Sequence, residues 1–250
     1  MQKSKRHCKI IKNIDTGKIV LRERTGKKFQ LRGISSHGIN WDVGAPYVNK
    51  ASFKTLRDDW GVNAVRLAMY TSEYNGYCAG GNKENLKKQV RNGVKYATDL
   101  GMYVVIDWHI LKDGNPKKQL KEAKSFFDTM SVQYKNQKNV IYEICNEPNG
   151  CSWNTIRDYA EQMIKVIRKN DANAVIIVGT PNWSQLGSDR FRVRYVSYFC
   201  WSLSNKKESC SLLASKTRKT GNWKTKDLSK AGKYIRSKYR ARKKALGKNS

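Results

Sequence analysis

An α/β fold wound around a parallel sheet is the architecture this sequence predicts, and three observations carry the prediction. Short apolar runs of strand length alternate with stretches whose apolar residues recur at helical spacing: 64–69 then 86–97, 103–109 then 120–134, 140–146 then 156–167, and 175–180. The four prolines, Pro46, Pro116, Pro148 and Pro181, all fall in segments that follow strands, which gathers the special backbone geometry at one end of the sheet. Polar and aromatic residues collect at the same strand ends, where folds of this class keep their chemistry. A length of 250 residues suits one large domain, and the unbroken alternation argues for a single domain over residues 1–250.

Taken in order, residues 9–32 read as a small antiparallel hairpin. Lys9-Ile10-Ile11 and Ile19-Val20-Leu21 flank Asp15-Thr16-Gly17, a device suited to plugging one end of a larger fold. Residues 29–35 form the first core strand and lead into Ser36-His37-Gly38-Ile39-Asn40-Trp41. Asn49 is placed to cap the first helix, whose Phe53, Leu56 and Trp60 share a face and whose stop is Gly61. Strands at 64–69, 103–109, 140–146 and 175–180 follow, with helices on Leu86-to-Ala97, Leu120-to-Tyr134 and Ile156-to-Ile167 stripes. After Pro181 the rhythm breaks: residues 182–189 read as loop, 190–194 alternate sharply, and 195–203 form a sixth core strand with no helix before it. A last helix starts near Leu228, and its basic tail, residues 240–250, is expected to fray.

Lys and Arg number 50 against 20 Asp and Glu, a formal charge of +30. Such a balance predicts attachment to polyanions in addition to any other activity. Six cysteines form no C-x-x-C pair and no His stands at zinc spacing, so no metal site is expected. Cys145 and Cys200 lie inside apolar strands and read as inert buried thiols. The basic N-terminus is not followed by an apolar run of signal-peptide length, and no span approaches a membrane helix, so neither an export signal nor membrane insertion is expected.

The candidate site centres on Val140-Ile141-Tyr142-Glu143-Ile144-Cys145-Asn146-Glu147-Pro148-Asn149-Gly150, a strand that delivers an amide and a carboxyl at its rim. His37 and Trp41 follow the first strand, Arg66 and Tyr70 lie on or after the second, and His109 ends the third. Trp183 follows the fifth strand and Trp201 lies on the last. Arg, His, Asn, Glu and several indoles converging on one cleft suit an uncharged, polyhydroxylated ligand such as a sugar, whose C–H faces stack on aromatic rings. Glu147 is the candidate proton donor, and Asn146 can hold a 2-hydroxyl whose hydrogen bond tightens in an oxocarbenium-like transition state. Plainer readings stand beside these: Arg66 as an ion pair to Glu143, His109 as a satisfied structural histidine, Trp183 and Trp201 as core fillers, and Lys206 with Glu208 as a solvated loop.

These residues resemble those of glycoside hydrolase family five, in its bacterial endo-β-1,4-glucanase branch. The likeness runs through Leu31-Arg32-Gly33-Ile34-Ser35-Ser36-His37-Gly38, Val65-Arg66-Leu67-Ala68-Met69-Tyr70, Val105-Ile106-Asp107-Trp108-His109-Ile110-Leu111, Ile141 to Gly150 and Ile176 to Gln185. It resumes at Trp201-Ser202-Leu203-Ser204-Asn205-Lys206-Lys207-Glu208-Ser209 and at Lys219-Thr220-Gly221-Asn222-Trp223. The resemblance implies a (β/α)8 TIM barrel, retaining hydrolysis of β-1,4-glucan, a β-glucan or cello-oligosaccharide partner, no cofactor, and relatives that are usually secreted. It implies Glu147 as acid/base, Asn146 as its 2-hydroxyl partner, and Arg66 and His109 as residues that hold the catalytic carboxylates. His37, Trp41, Tyr70, Trp183, Trp201 and Lys206 match glucose-binding positions.

One departure is large. The family places its nucleophile, a second Glu, at the end of the seventh strand, yet here the chain passes from Trp183-Ser184-Gln185 to residues 195–201 in a handful of positions. The barrel is therefore expected to be incomplete, with about six βα units; the two missing ones amount to roughly 60–70 residues. The acids after Glu147 (Asp158, Glu161, Asp171, Asp189, Glu208 and Asp227) match no nucleophile. Glu143, four positions along one strand, would stand about 13 Å from Glu147, whereas a retaining pair sits about 5–5.5 Å apart. Three functions follow: a glucan hydrolase, a non-catalytic β-glucan binder, or a basic polyanion-binding protein.

Overall fold

The strand at residues 103–109 shows how the sheet is built. Tyr103, Val105, Asp107 and His109 alternate with Val104, Ile106 and Trp108, and a period of two sends these sets to opposite faces. The computed structural model describes residues 8–12, 19–23, 29–185 and 197–247. Outside the hairpin pair β1 (Cys8–Lys12) and β2 (Ile19–Glu23), six strands form one sheet: β3 (Arg32–Ser36), β4 (Ala64–Tyr70), β5 (Tyr103–His109), β6 (Val140–Glu143), β7 (Val175–Ile177) and β8 (Tyr198–Leu203). All neighbours are parallel, in the order β7-β6-β5-β4-β3-β8.

Chain order runs from β3 to β7 along this sheet, and β8 then joins on the far side of β3. That is the path of a βα barrel whose wall is open between β7 and β8 among the described residues. The incomplete barrel expected from the sequence is what forms. Helices α1 (Lys50–Thr55), α2 (Lys83–Asp99), α3 (Leu120–Tyr134), α4 (Trp153–Asn170) and α5 (Lys230–Gly247) complete the fold. The large core holds the outward-facing strand residues, among them Val65, Leu67, Val104, Ile106, Trp108 and Tyr142, with helix residues such as Phe126, Phe127, Tyr159 and Met163. A smaller cluster of Leu31, Ala64, Tyr103, Val105 and Ile141, with Phe29, Val175 and Phe199 against it, fills the inner face at the strand N-termini. The inner face at the strand C-termini is left to polar side chains.

Element ends follow local chemistry. Asn49 caps α1 by accepting from Ser52 N–H, the chain widens into a looser turn over Leu56–Trp60, and Gly61 at φ +81° stops it. β6 is shorter than expected and stops at Glu143. Ile144 N–H still donates to Ile177 O (3.0 Å), but the chain then turns toward Pro148. β7 is three residues rather than six, as befits an edge that, among the described residues, has a partner on one side only. Residues 240–247, expected to fray, are helical in α5. They are held because Tyr239 is buried and donates to Gly33 O (2.8 Å), while Arg236 and Arg240 both reach Asp59. The hairpin turn, residues 186–196 and residues 248–250 lie outside the described residues, so the expected alternation of 190–194 and the start of the last strand at 195 do too.

Candidate active site

Register decides which polar groups meet. Ser35 pairs with Arg66 and Arg66 with Val105; two residues further on, Ala68 pairs with Asp107, Asp107 with Glu143 and Glu143 with Ile177. Arg66, Asp107 and Glu143 thus rise on the inner face as adjacent rungs. Arg66 donates through Nε and Nη2 to the two carboxylate oxygens of Glu143 (2.7 and 2.8 Å), a bidentate pair. Its Nη2 also meets Asp107 Oδ2 (2.9 Å) and donates to Asn146 Oδ1 (2.7 Å), and its Nη1 reaches Ser35 Oγ (3.3 Å). Burial works against the guanidinium charge, but Asp107 and Glu143 more than offset it, so Arg66 stays protonated.

His109 is locked from both sides. Its Nδ1 lies 2.6 Å from Asp107 Oδ2 and its Nε2 lies 3.2 Å from Asn146 Nδ2. Burial, then the Arg66 charge, hold its pKa well below the usual histidine value, so the ring is neutral. A neutral ring donates from Nδ1 to the carboxylate and accepts from the Asn146 amide at Nε2. Asn146 Nδ2 also donates to Ile110 O (3.2 Å). Asp107 is fully buried and its Oδ1 has no hydrogen-bond partner. That burial pushes its pKa up to about 7 against the pull of Arg66. Burial likewise raises Glu143, with Arg66 opposing.

Glu147 is different. It lines the cleft beside Arg66 and Asn146, yet among the described residues its side chain has no hydrogen-bond partner. Rings line the same cleft: Trp201 is stacked on His109 (5.4 Å, 16°) and Tyr70 meets His109 (4.1 Å), while behind them Trp41 meets Tyr70 (4.5 Å) and His37 meets both Trp201 (5.2 Å) and Trp41 (5.6 Å). The cleft has a volume of about 540 Å³. A carboxyl free to reach a ligand, an amide fixed next to it and a ring wall for apolar sugar faces can together bind a glycan and protonate a leaving oxygen.

Of the residues singled out in the sequence, Arg66, Tyr70, His109, Asn146, Glu147 and Trp201 line this cleft. His37 and Trp41 are not part of its wall and pack behind it. Gly38 N–H donates to His37 Nδ1 (2.8 Å), and burial, with Lys206 nearby, lowers the His37 pKa to about 4. Lys206 is bonded to Glu208 (2.8 Å), whose other oxygen lies 3.8 Å from His37, so this loop is tied to the site's edge. Trp183 is not brought to the cleft wall: it is 47% exposed, with Asn182, Trp183 and Ser184 all at φ near +57° to +59°. That loop is nonetheless fastened to the site, Trp183 N–H donating to Pro148 O (3.1 Å) and Ser184 Oγ to Asn146 O (2.8 Å).

Arg66 is both the ion pair to Glu143 and a contact of Asn146. Glu143 and Glu147 both line the cleft, and the bidentate grip of Arg66 is what occupies Glu143. Asp107 joins the site beyond the residues the sequence singles out, although an acid inside Val104-Val105-Ile106-Asp107-Trp108 is itself a signal, since a buried carboxyl needs a partner. Leu111, Ile177 and Phe199 also join it, as apolar lining that only the register exposes. Among the described residues no group of three or more His, Cys, Asp or Glu is placed to hold a metal ion. No described helix is long and apolar enough to cross a membrane.

Comparison with known proteins adds to this geometry. Residues 23–207 match the family model described as Cellulase (glycosyl hydrolase family 5). The chain is 51% identical to Endoglucanase A of Butyrivibrio fibrisolvens over 162 residues, covering 64% of this chain and 37% of that protein. It is 36% identical to Endoglucanase N of Pectobacterium atrosepticum over 297 residues, covering 92% of this chain and 65% of that protein. The chain thus spans between about a third and two-thirds of the length of these curated relatives. Among solved structures it is similar to the catalytic domain of Thermobifida fusca endoglucanase Cel5A, with a TM-score of 0.80 at 27% identity over 95% of this chain and 97% of that one. A second structure of that domain, in complex with cellotetraose, matches with a TM-score of 0.78 at 26% identity, again over 95% of this chain and 97% of that one.

Proposed function

The chain belongs to glycosyl hydrolase family 5, the cellulase family, and from that premise we propose that its cleft binds a β-1,4-glucan chain and presents Glu147 as the proton donor of a retaining hydrolysis. The observation that carries this is the division of labour between two carboxyls in one cleft: Glu143 is gripped by Arg66, while Glu147 is free to meet a ligand. In the first step of such a reaction a second carboxylate bonds to the anomeric carbon as the glycosidic C–O bond breaks and the Glu147 proton passes to the leaving oxygen. Water, giving its proton to Glu147, then displaces that carboxylate. Asn146, fixed by Arg66, His109 and Ile110, holds the 2-hydroxyl, and Trp201 with Tyr70 takes the sugar faces.

The second carboxylate is the part this chain does not supply. Among the described residues only Glu143 and Glu147 line the cleft as acids, and between Gln185 and Ser197 the sequence carries one acid, Asp189. The alignment to Endoglucanase N supports an internal loss. It covers 92% of 250 residues, about 230, so about 67 of its 297 aligned positions have no counterpart here. The chain is therefore a cellulase-type hydrolase in architecture that keeps glucan binding and turns substrate over slowly.

The test is a pair of measurements on the unmutated chain and on Glu147→Gln: cellotetraose affinity by calorimetry and hydrolysis of carboxymethyl-cellulose. Binding in both proteins, with only marginal turnover in either, is the expected result. Vigorous hydrolysis abolished by the substitution would show that a second carboxyl is in place and overturn the slow-turnover reading. A separate polyanion-binding activity is favoured by one observation: residues 230–247 carry eight Lys or Arg and no acid.

A further inference from the structure

The six-stranded sheet ends on β7 and β8, each with a neighbour on one side only among the described residues. One hydrogen bond fixes the orientation of β7. Because Ile144 N–H donates to Ile177 O (3.0 Å), Val175 and Ile177 turn their main-chain groups to β6, and Ile176 turns its N–H and C=O toward the open side. On β8, Tyr198 N–H donates to Leu31 O (3.0 Å), so Phe199 presents its main-chain groups outward in the same way. The flanking side chains are apolar: Ile177 is 38% exposed, and Ile177, Phe199 and Trp201 all line the cleft. Two unpaired parallel edges facing one gap are a template for further strands.

Length and chemistry say which strands fit. The roughly 67 aligned positions without a counterpart in the chain are, in total, as many as two βα units of about 30 residues each. The cleft they would border holds one unengaged carboxylate where a retaining site needs two. We propose that the β7–β8 gap accepts two βα units from a separate polypeptide, one of whose strands brings a carboxylate opposite Glu147. The proposal rests on the retaining-glucanase reading of the cleft. The incoming carboxylate forms the bond to the anomeric carbon, the glycosidic C–O bond breaks, Glu147 gives its proton to the leaving oxygen, and water later releases the sugar while returning a proton to Glu147.

The probe is the segment of Endoglucanase N that has no counterpart here, tagged and co-expressed with the whole chain. Co-purification at one to one is expected, with slowed amide exchange in β7 and β8. Carboxymethyl-cellulose hydrolysis should rise on the order of 10⁴-fold or more over the chain alone, the loss ordinarily seen when a catalytic nucleophile is absent. Ile176→Pro removes the outward N–H and spares the two residues bonded to β6, so it should weaken capture roughly tenfold or more while cellotetraose affinity is unchanged. No capture by a chain that still binds cellotetraose overturns the proposal and leaves the glucan reading standing. Capture by a chain that binds no cellotetraose overturns the glucan reading instead, and capture with unchanged hydrolysis overturns the catalytic role of the added units. A chain that dimerises alone, and that Ile176→Pro returns to monomer, assigns the gap to a second copy and overturns the proposal.

Discussion

Glu143 and Glu147 stand four residues apart, line one cleft and do opposite things, which makes them the sharpest test at the scale of single residues. Glu143, 9% exposed, neutralises a buried guanidinium through two hydrogen bonds. Removing it leaves that charge only Asp107 and takes away its bidentate partner, so Glu143→Ala should cost about 3 kcal/mol in urea unfolding. Glu147 has no hydrogen-bond partner among the described residues, so Glu147→Gln should leave stability within about 0.5 kcal/mol. Equal losses in both variants would refute the division of labour. The sequence marked Glu147 through its neighbours Asn146 and Pro148, but the grip on Glu143 depends on register across β4, β5 and β6 and could not be read from one strand. Asp107 supplies a pH test. An unfolded Asp titrates near 3.9 and folded Asp107 at about 7, so the folded state holds the extra proton between these values. Its contribution to stability is full below pH ~4 and is lost as pH rises to 7. His109 works the other way: its pKa is depressed, and its contribution is full above about pH 6.5 and lost as pH falls. Asp107→Asn removes only the first window. The Tm of the variant relative to the unmutated chain should therefore rise between pH 5 and pH 8, by an amount on the order of 2 kcal/mol in stability. A flat difference across that range would show that Asp107 titrates as it does unfolded.

At the scale of elements, the pairing of β3 with β8 carries a tight contact. Gly33 lies opposite Phe199, and a Cβ on Gly33 would stand 2.1 Å from the Phe199 ring. Gly33→Ala should therefore cost about 1–3 kcal/mol by overpacking, and Phe199→Ala in the same chain should recover part of the loss; urea midpoints of the single and double variants decide it. Nothing local predicts this contact, because residues 33 and 199 meet only when the last strand returns to the first. Elements bounded by local chemistry were legible: β5 and α3 fall on the expected residues, Asn49 caps α1, and Gly61 and Gly101 follow the helices they stop. The misread ends have tertiary causes. β6 stops at Glu143, where the chain turns to bring the Asn146 amide into the cleft, and β7 is short where, among the described residues, one side has no strand partner. The end of α5 is ordered by Tyr239 reaching Gly33 and by arginines reaching Asp59, contacts that an amphipathic stripe does not announce.

At the scale of the whole molecule, alternation of strands and helices pointed to the barrel path and the abrupt step after Gln185 to an incomplete wall; which two strands border the opening among the described residues needed the sheet order. Charge acts at the same scale. A chain of 250 residues has a radius of gyration of about 18 Å, and the Debye length is about 30 Å at 0.01 M salt but about 8 Å at 0.15 M. At the lower ionic strength every part of a +30 molecule repels every other part. Raising NaCl from about 10 mM to about 300 mM should then raise Tm, the reverse of what surface ion pairs such as Lys95 with Asp99 would do alone. The same screening bears on the functional assay, because carboxymethyl-cellulose is a polyanion and cellotetraose is neutral. Affinity for carboxymethyl-cellulose should fall steeply over this salt range, while affinity for cellotetraose, if it rests on Trp201, Tyr70 and Asn146 as proposed, should stay within about twofold. Parallel loss of both would move the glucan contact out of the aromatic cleft and onto the basic surface.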